Sequence, residues 1–248
     1  MAFRKNNTYK YESGKTFKLS RSGIDSFIKC QRCFYLNRVG NIKDIGMPGF
    51  SLNSAHDELM KKELDTYREK AETHPYMESL NKNLIPFQHE KMEDWRNNFK
   101  GIAYHHKKTD LIITGAIDDV WIDTDTNELV IVEYKSTSTQ SEIDLNDGTP
   151  WKEQYKRQID IYQWLFRMNG FEVSDDSVFL YSNGIKTAEK FNDVMNFKTY
   201  VLEYKGSTDW VEPKIIEIKK VLDQTSIPSL NEECETCSYV ESVQAYNL

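Results

Sequence analysis

Two Cys-x2-Cys pairs, Cys30 with Cys33 and Cys234 with Cys237, stand near opposite ends of a 248-residue chain and account for all four of its cysteines. A disulfide framework belongs to small secreted scaffolds, whereas two such hooks supply the four thiolates that zinc or an iron-sulfur cluster takes. One centre can collect all four only in a fold that brings the chain ends together, so its binding energy would also be folding energy. Four merely buried thiols are the other reading of the pattern.

A chain of this length can bury roughly three quarters of its unfolded surface, enough for an enzyme-sized core. Aromatic residues make up 12% of it, too many for a disordered chain despite a charged share of 29%. No stretch approaches the ~18 consecutive apolar residues of a membrane helix, and the start lacks the apolar core of a signal peptide. The expectation is a soluble, cytoplasmic protein with no membrane partner. The net charge of -7 argues against a general nucleic-acid coat, but it is unevenly spread. Met1 to Arg38 carry nine basic and two acidic residues, +7, which leaves -14 for the remainder. Arg4, Lys5, Lys18, Arg21 and Lys29 belong to this basic segment, which is either a phosphate-attracting surface or a solvated arm.

Along the chain, Ser20 or Ser22 caps a helix that runs through Ile24, Phe27, Phe34 and Tyr35, carries Cys30 and Cys33 one turn apart, and stops at Gly40 and the Gly46-Met47-Pro48-Gly49 loop. A second helix is expected from Ser51 toward Tyr67, and a third from Glu90 to Phe99. The texture changes at Gly101: Ile102 to His106, Leu111 to Asp123 and Leu129 to Lys135 read as a β-meander. An amphipathic helix follows from Trp151 to Met168, then strands at Ser177 to Tyr181 and Phe197 to Tyr204, a helix from Trp210 to Asp223, and a tail with the second cysteine pair. With no repeat or linker, the organisation expected is one domain, 1-248: a helical subregion at about 20-100, a catalytic core at about 101-205, and a C-terminal helix and cysteine tail at about 206-248.

The chemistry concentrates in Val130-Ile131-Val132-Glu133-Tyr134-Lys135. Period-two alternation puts Glu133 and Lys135 on one face and Val132 and Tyr134 on the other. One strand earlier, Asp118 follows an apolar run, and a hairpin can set it beside Glu133. Two converging carboxylates invite Mg2+ or Mn2+, which prefer oxygen ligands, and a nearby lysine can hold the attacking water. Alone, Glu-x-Lys on a strand is equally a surface ion pair. On the helix that follows, Gln158 and Tyr162 share a face four residues apart.

Taken in order, Gly115-x-x-Asp118, Glu133-Tyr134-Lys135 and Gln158-x3-Tyr162 resemble the PD-(D/E)XK nuclease superfamily, in its RecB-like branch. The resemblance extends to Leu19-Ser20-Arg21-Ser22 and to the Cys30 region, which look like the opening of the AddB nuclease domain and of the RecB-like exonucleases of CRISPR adaptation. It implies an α/β fold, a restriction-endonuclease-like core with a central mixed sheet flanked by helices, and a four-cysteine clasp joining the chain ends. It also implies a metal-dependent deoxyribonuclease, acting as an exonuclease on single strands or duplex ends. Asp118 and Glu133, with His56 and the Tyr134 carbonyl, would hold Mg2+ or Mn2+. Lys135 would position the water, and Gln158 and Tyr162 would handle the strand, together with Lys18, Arg21 and Lys29. Partners in DNA repair, recombination or CRISPR adaptation are implied likewise. Relatives that bear a [4Fe-4S] cluster use one N-terminal and three C-terminal cysteines. Here the division is two and two, with Gln31 where proline is usual, so zinc suits Cys30, Cys33, Cys234 and Cys237 as well as the cluster does. A non-catalytic nucleic-acid-binding or scaffolding protein that keeps the fold and the clasp is the alternative function.

Overall fold

The structure, a computed structural model, describes residues 8-43 and 49-246, so Arg4, Lys5 and most of the Gly46-Met47-Pro48-Gly49 loop lie outside the described residues. The chain divides into two compact units. The first comprises Met1-Pro48, Ala103-Thr114 and Asp209-Leu248, and the second Gly49-Ile102 and Gly115-Thr208.

In the first unit, β1 (Phe17-Ser20) pairs in parallel with β4 (Leu111-Gly115), whose other neighbour is β3 (Ile102-His106). Ser20 ends β1 and caps α1 (Arg21-Lys29), its hydroxyl accepting the Gly23 N-H at 3.2 Å. The single helix expected through both cysteines is broken: Cys30 is extended, with φ -162° and ψ 111°, and α2 (Gln31-Arg38) begins directly after it. Periodicity could not reveal the break, because the second helix restarts at once with its apolar side, Phe34 and Tyr35, still inward. Both helices pack on α6 (Val211-Leu222). The C-terminal tail is also more ordered than expected, since α7 (Glu235-Ala245) carries Cys237 in its first turn.

The second unit is built on a mixed five-stranded sheet, in the order β2 (Leu84-Pro86), β5 (Asp119-Asp123), β6 (Leu129-Thr137), β7 (Asp176-Gly184) and β8 (Phe197-Lys205). All its pairs are antiparallel except β6 with β7, which are joined by the crossover helix α5 (Pro150-Met168). Leu129 to Tyr134 are buried without interruption, as befits a central strand covered on both faces. One face meets Met60 and Leu64 of α3 (Ser51-Lys70) in a core with Trp121, Val132, Tyr134, Val178 and Leu180. Helix α5, buried continuously from Gln158 to Phe166, packs against β6.

The meander does not exist: β4 and β5 belong to different sheets, and the chain leaves strand geometry at Ala116-Ile117-Asp118. Apolar alternation continues through that break and hides it. The helix placed over Glu90 to Phe99 shrinks to α4 (Met92-Arg96), because the Asn97 side chain accepts the Phe99 N-H at 2.8 Å and turns the chain out of the helix.

Candidate active site and four-cysteine centre

In the antiparallel register Asp119 of β5 faces Val132 of β6, which sets Asp118, one residue before β5, level with Glu133. The Tyr134 N-H donates to Asp118 Oδ2 at 2.9 Å, so the backbone between Glu133 and Lys135 pins the neighbouring carboxylate. As alternation requires, Tyr134 enters the core while Glu133 and Lys135 leave the other face together, joined by an ion pair. Lys135 Nζ also stands 3.5 Å from Gln158 Oε1 and 4.3 Å from the centre of the Tyr155 ring. Burial alone would lower its pKa, but Glu133 and then Asp118 outweigh burial and hold the ammonium above the ordinary lysine range.

Gln158 and Tyr162 complete a chain of hydrogen bonds from α5. Gln158 Nε2 donates to the Tyr162 hydroxyl at 3.0 Å, and that hydroxyl donates to the Ala116 carbonyl, just before Asp118. Both side chains are buried, 6% and 2% exposed, so they face the carboxylate cluster and its loop and not solvent. Gly115 makes the approach possible: a Cβ there would lie 2.6 Å from Tyr162 Cε1. The four-residue spacing seen in the sequence thus acquires a definite partner at each end.

Beneath the carboxylates lies a network that sequence reasoning missed. Asp119 is fully buried and pairs with Arg68 of α3, with Arg96 Nη2 at 3.1 Å and with the Tyr134 hydroxyl at 2.7 Å. Burial and then the Asp119 carboxylate hold that phenol far above its usual pKa, and therefore neutral. Arg96 also binds both oxygens of Asp65 at 2.9 Å, and its Nε donates to the Asp118 carbonyl at 3.1 Å. Asp118 is thereby held by its backbone from one side and by its carboxylate from the other. Lys61 on α3 stands 3.6 Å from Asp118 Oδ1 and was likewise missed. The available signal was the doubled acid Asp118-Asp119 at a strand start that otherwise reads as apolar.

His56 lies on α3 with Nδ1 3.5 Å from Asp57 Oδ1 and its ring 5.4 Å from that of Phe197. It lines a cavity with Ser136, Thr137 and Phe197. Its ligand atom, Asp118 and Glu133 do not all come within 4.8 Å of one another. Among the described residues only Cys30, Cys33, Cys234 and Cys237 form such a group of three or more. The basic residues Lys18 and Lys29 are exposed and Arg21 is half-buried. All three belong to the first unit, whereas Asp118, Glu133, Lys135, Gln158 and Tyr162 belong to the second.

The four-cysteine centre is contained in the first unit. The thiols of Cys30 and Cys237 are 3.6 Å apart, and Cys33 stands 3.7 Å from both Cys234 and Cys237. No pair is a disulfide. Burial, followed by the neighbouring thiols, pushes Cys33 far up. Although burial opposes it, the Cys237 N-H together with the other three thiols brings Cys234 down to about 7. Such a crowded, sheltered thiol set can bind a metal.

A family model described as the PD-(D/E)XK nuclease superfamily matches residues 18-242. The chain belongs to this superfamily. The match contains both cysteine pairs and every residue of the carboxylate cluster, and the mixed sheet flanked by helices agrees with a PD-(D/E)XK core. Membership makes nucleic acid the substrate class and divalent metal ions the cofactor class of the family's nucleases. The donors here fit that chemistry, because Asp118 and Glu133 present carboxylate oxygens, which hard divalent ions prefer. The chain is also similar to a solved structure described as the crystal structure of SSO0001, with 15% identity, 90% of this chain and 84% of that chain covered, and a TM-score of 0.38. No curated protein sequence matches it.

Proposed function

We propose that this protein is a metal-dependent deoxyribonuclease of the RecB-like kind, an exonuclease hydrolysing phosphodiester bonds of single strands or duplex ends. The observation that carries the reading is the Tyr134 N-H to Asp118 Oδ2 bond, which brings Asp118, at the start of β5, beside Glu133 and Lys135 on β6. Asp118, Glu133 and the Tyr134 carbonyl would hold Mg2+ or Mn2+, and His56 would join them by turning away from Asp57. Such an ion neutralises charge on the scissile phosphate and raises the acidity of the attacking water.

The protein's own residues do the rest. Lys135, kept protonated by two carboxylates, orients the water and the phosphate as a fixed cation. Gln158 and Tyr162, buried as they are, handle the strand indirectly: they position Lys135 and the loop that bears Asp118. Lys18, Arg21 and Lys29 supply phosphate contacts that add affinity without sequence preference. The four cysteines form a structural metal centre in the first unit, remote in chemical type from the oxygen-rich cluster. Work on DNA ends suits repair, recombination or CRISPR-adaptation partners.

The test is incubation of purified protein with end-labelled single- and double-stranded DNA, and with RNA, in Mn2+, Mg2+ or EDTA. Mononucleotides released progressively from DNA ends, and only with metal, are the expected result. Internal nicking of circular DNA would overturn the exonuclease assignment, and selective loss of RNA would overturn the substrate. Tight binding without cleavage of any nucleic acid would support the scaffolding alternative.

A further inference from the structure

The four thiols are too close together for the iron-sulfur cluster that the family resemblance implies. In a [4Fe-4S] cluster each cysteine ligates a different iron at alternate corners of a cube, which spreads the sulfurs to about 6 Å apart. Here every sulfur lies within 4.8 Å of every other, and three of the separations are 3.6, 3.7 and 3.7 Å. A single ion with tetrahedral bonds of about 2.3 Å places its thiolates about 3.8 Å apart, and the observed spacing matches that figure.

The backbone around each pair is consistent with one ion. Cys30 is extended at the N-cap of α2 and Cys33 lies in the first turn, and Cys234 and Cys237 repeat the arrangement at α7. In the first pair the Cys33 N-H points at the Cys30 sulfur at 3.5 Å. Two helix N-termini therefore converge on the same four sulfurs, and their partial positive charge, with N-H groups turned toward the sulfurs, suits the doubly negative complex that four thiolates make with a divalent ion. The two-and-two division of cysteines follows from this construction, since each helix start contributes its cap and its third residue.

We infer that Cys30, Cys33, Cys234 and Cys237 hold one tetrahedral ion of the size and softness of zinc, and not an iron-sulfur cluster. This rests on reading the four cysteines as a metal centre and is independent of the nuclease chemistry. On binding, each thiol gives its proton to the buffer and its sulfur a bond to the ion, with no change of oxidation state.

The experiment is elemental analysis and absorption spectroscopy of the full-length protein purified anaerobically, followed by exchange of the bound metal for Co2+. The expected protein is colourless and carries one zinc per chain. Its Co2+ form shows the intense thiolate-to-cobalt and tetrahedral d-d bands of four-sulfur ligation, and Cys33→Ser and Cys234→Ser each weaken and shift those bands. Brown protein with about four irons per chain, and broad absorbance near ~400 nm, would overturn the single ion while sparing the metal centre. Metal-free protein with four titratable thiols, or with disulfides, would overturn both. The wild-type measurement decides the matter even where a serine variant fails to fold, and none of these readouts depends on cleavage of nucleic acid.

Discussion

Lys135 shows how much the placing of one side chain depends on its neighbours. Its ammonium is aimed by Glu133 on its own strand and by Gln158, which is steadied by Tyr162, which is anchored on the Ala116 carbonyl and fits only because residue 115 is glycine. Gly115→Ala should push the Tyr162 ring away and slow cleavage by about tenfold or more while the protein stays folded. Cleavage at the parental rate, measured beside circular dichroism, would show that the relay has no bearing on Lys135. Asp119 plays a different part, since it is fully buried with two arginines and a phenol on it. Asp119→Ala leaves the two buried arginines with Asp65 as their shared carboxylate and the Tyr134 hydroxyl without its acceptor, and should cost about 3-5 kcal/mol in urea or guanidinium unfolding. The contrast between the two residues reflects what a single sequence exposes. Glu133, Lys135, Gln158 and Tyr162 were readable because strand alternation and helical spacing fix the faces of neighbours. Arg68, Arg96 and Lys61 were not, because their partners Asp118 and Asp119 lie far along the chain and nothing in local pattern announces the pairing.

At the level of elements, the strands and helices with strong periodicity came through, and the errors fall where periodicity carries across a break. The run from Leu111 to Asp123 alternates smoothly, yet it serves two sheets. The helix through Cys30 keeps its apolar side across an extended residue. In both places the break positions candidate site residues: Ala116 to Asp118 form the loop that carries Asp118, and Cys30 caps a helix that carries a second thiol. The start of α5 is secured in a way open to direct titration. Hydrogen bonds to Asp147 from Lys152, and then from Thr149, pull its carboxyl from 3.8 to about 2. A carboxyl depressed in the folded state stabilises above its unfolded pKa and loses that contribution as pH falls through the folded value. The loop before α5 should therefore stay fully anchored above about pH 3.8 and loosen progressively as pH falls from there toward about 2. Carboxyl-carbon NMR should place the Asp147 midpoint near 2 in the parent and move it toward 3.8 in Lys152→Met. A midpoint unmoved by the substitution would remove Lys152 as the cause.

Across the whole molecule, charge and chemistry are distributed unequally. The net charge of -7 conceals a basic segment, while the acidic residues include the pair that suits a divalent ion. If Lys18, Arg21 and Lys29 contact phosphate, neutralising all three should weaken DNA binding and reduce the slope of log affinity against log salt by roughly 0.7-0.9 for each phosphate that no longer meets a cation. An unchanged slope in fluorescence anisotropy would leave these residues as a solvated arm. Superfamily membership and the mixed sheet establish what kind of fold this is, and the proposed turnover rests on Asp118, Glu133 and Lys135. The most direct measurement is therefore the single-turnover rate of DNA cleavage in Mn2+ for the parent, Glu133→Ala and Lys135→Ala, each verified as folded by thermal melting. Both variants are expected to lose several orders of magnitude while still binding DNA. A folded Glu133→Ala protein that cleaves as fast as the parent would contradict that expectation.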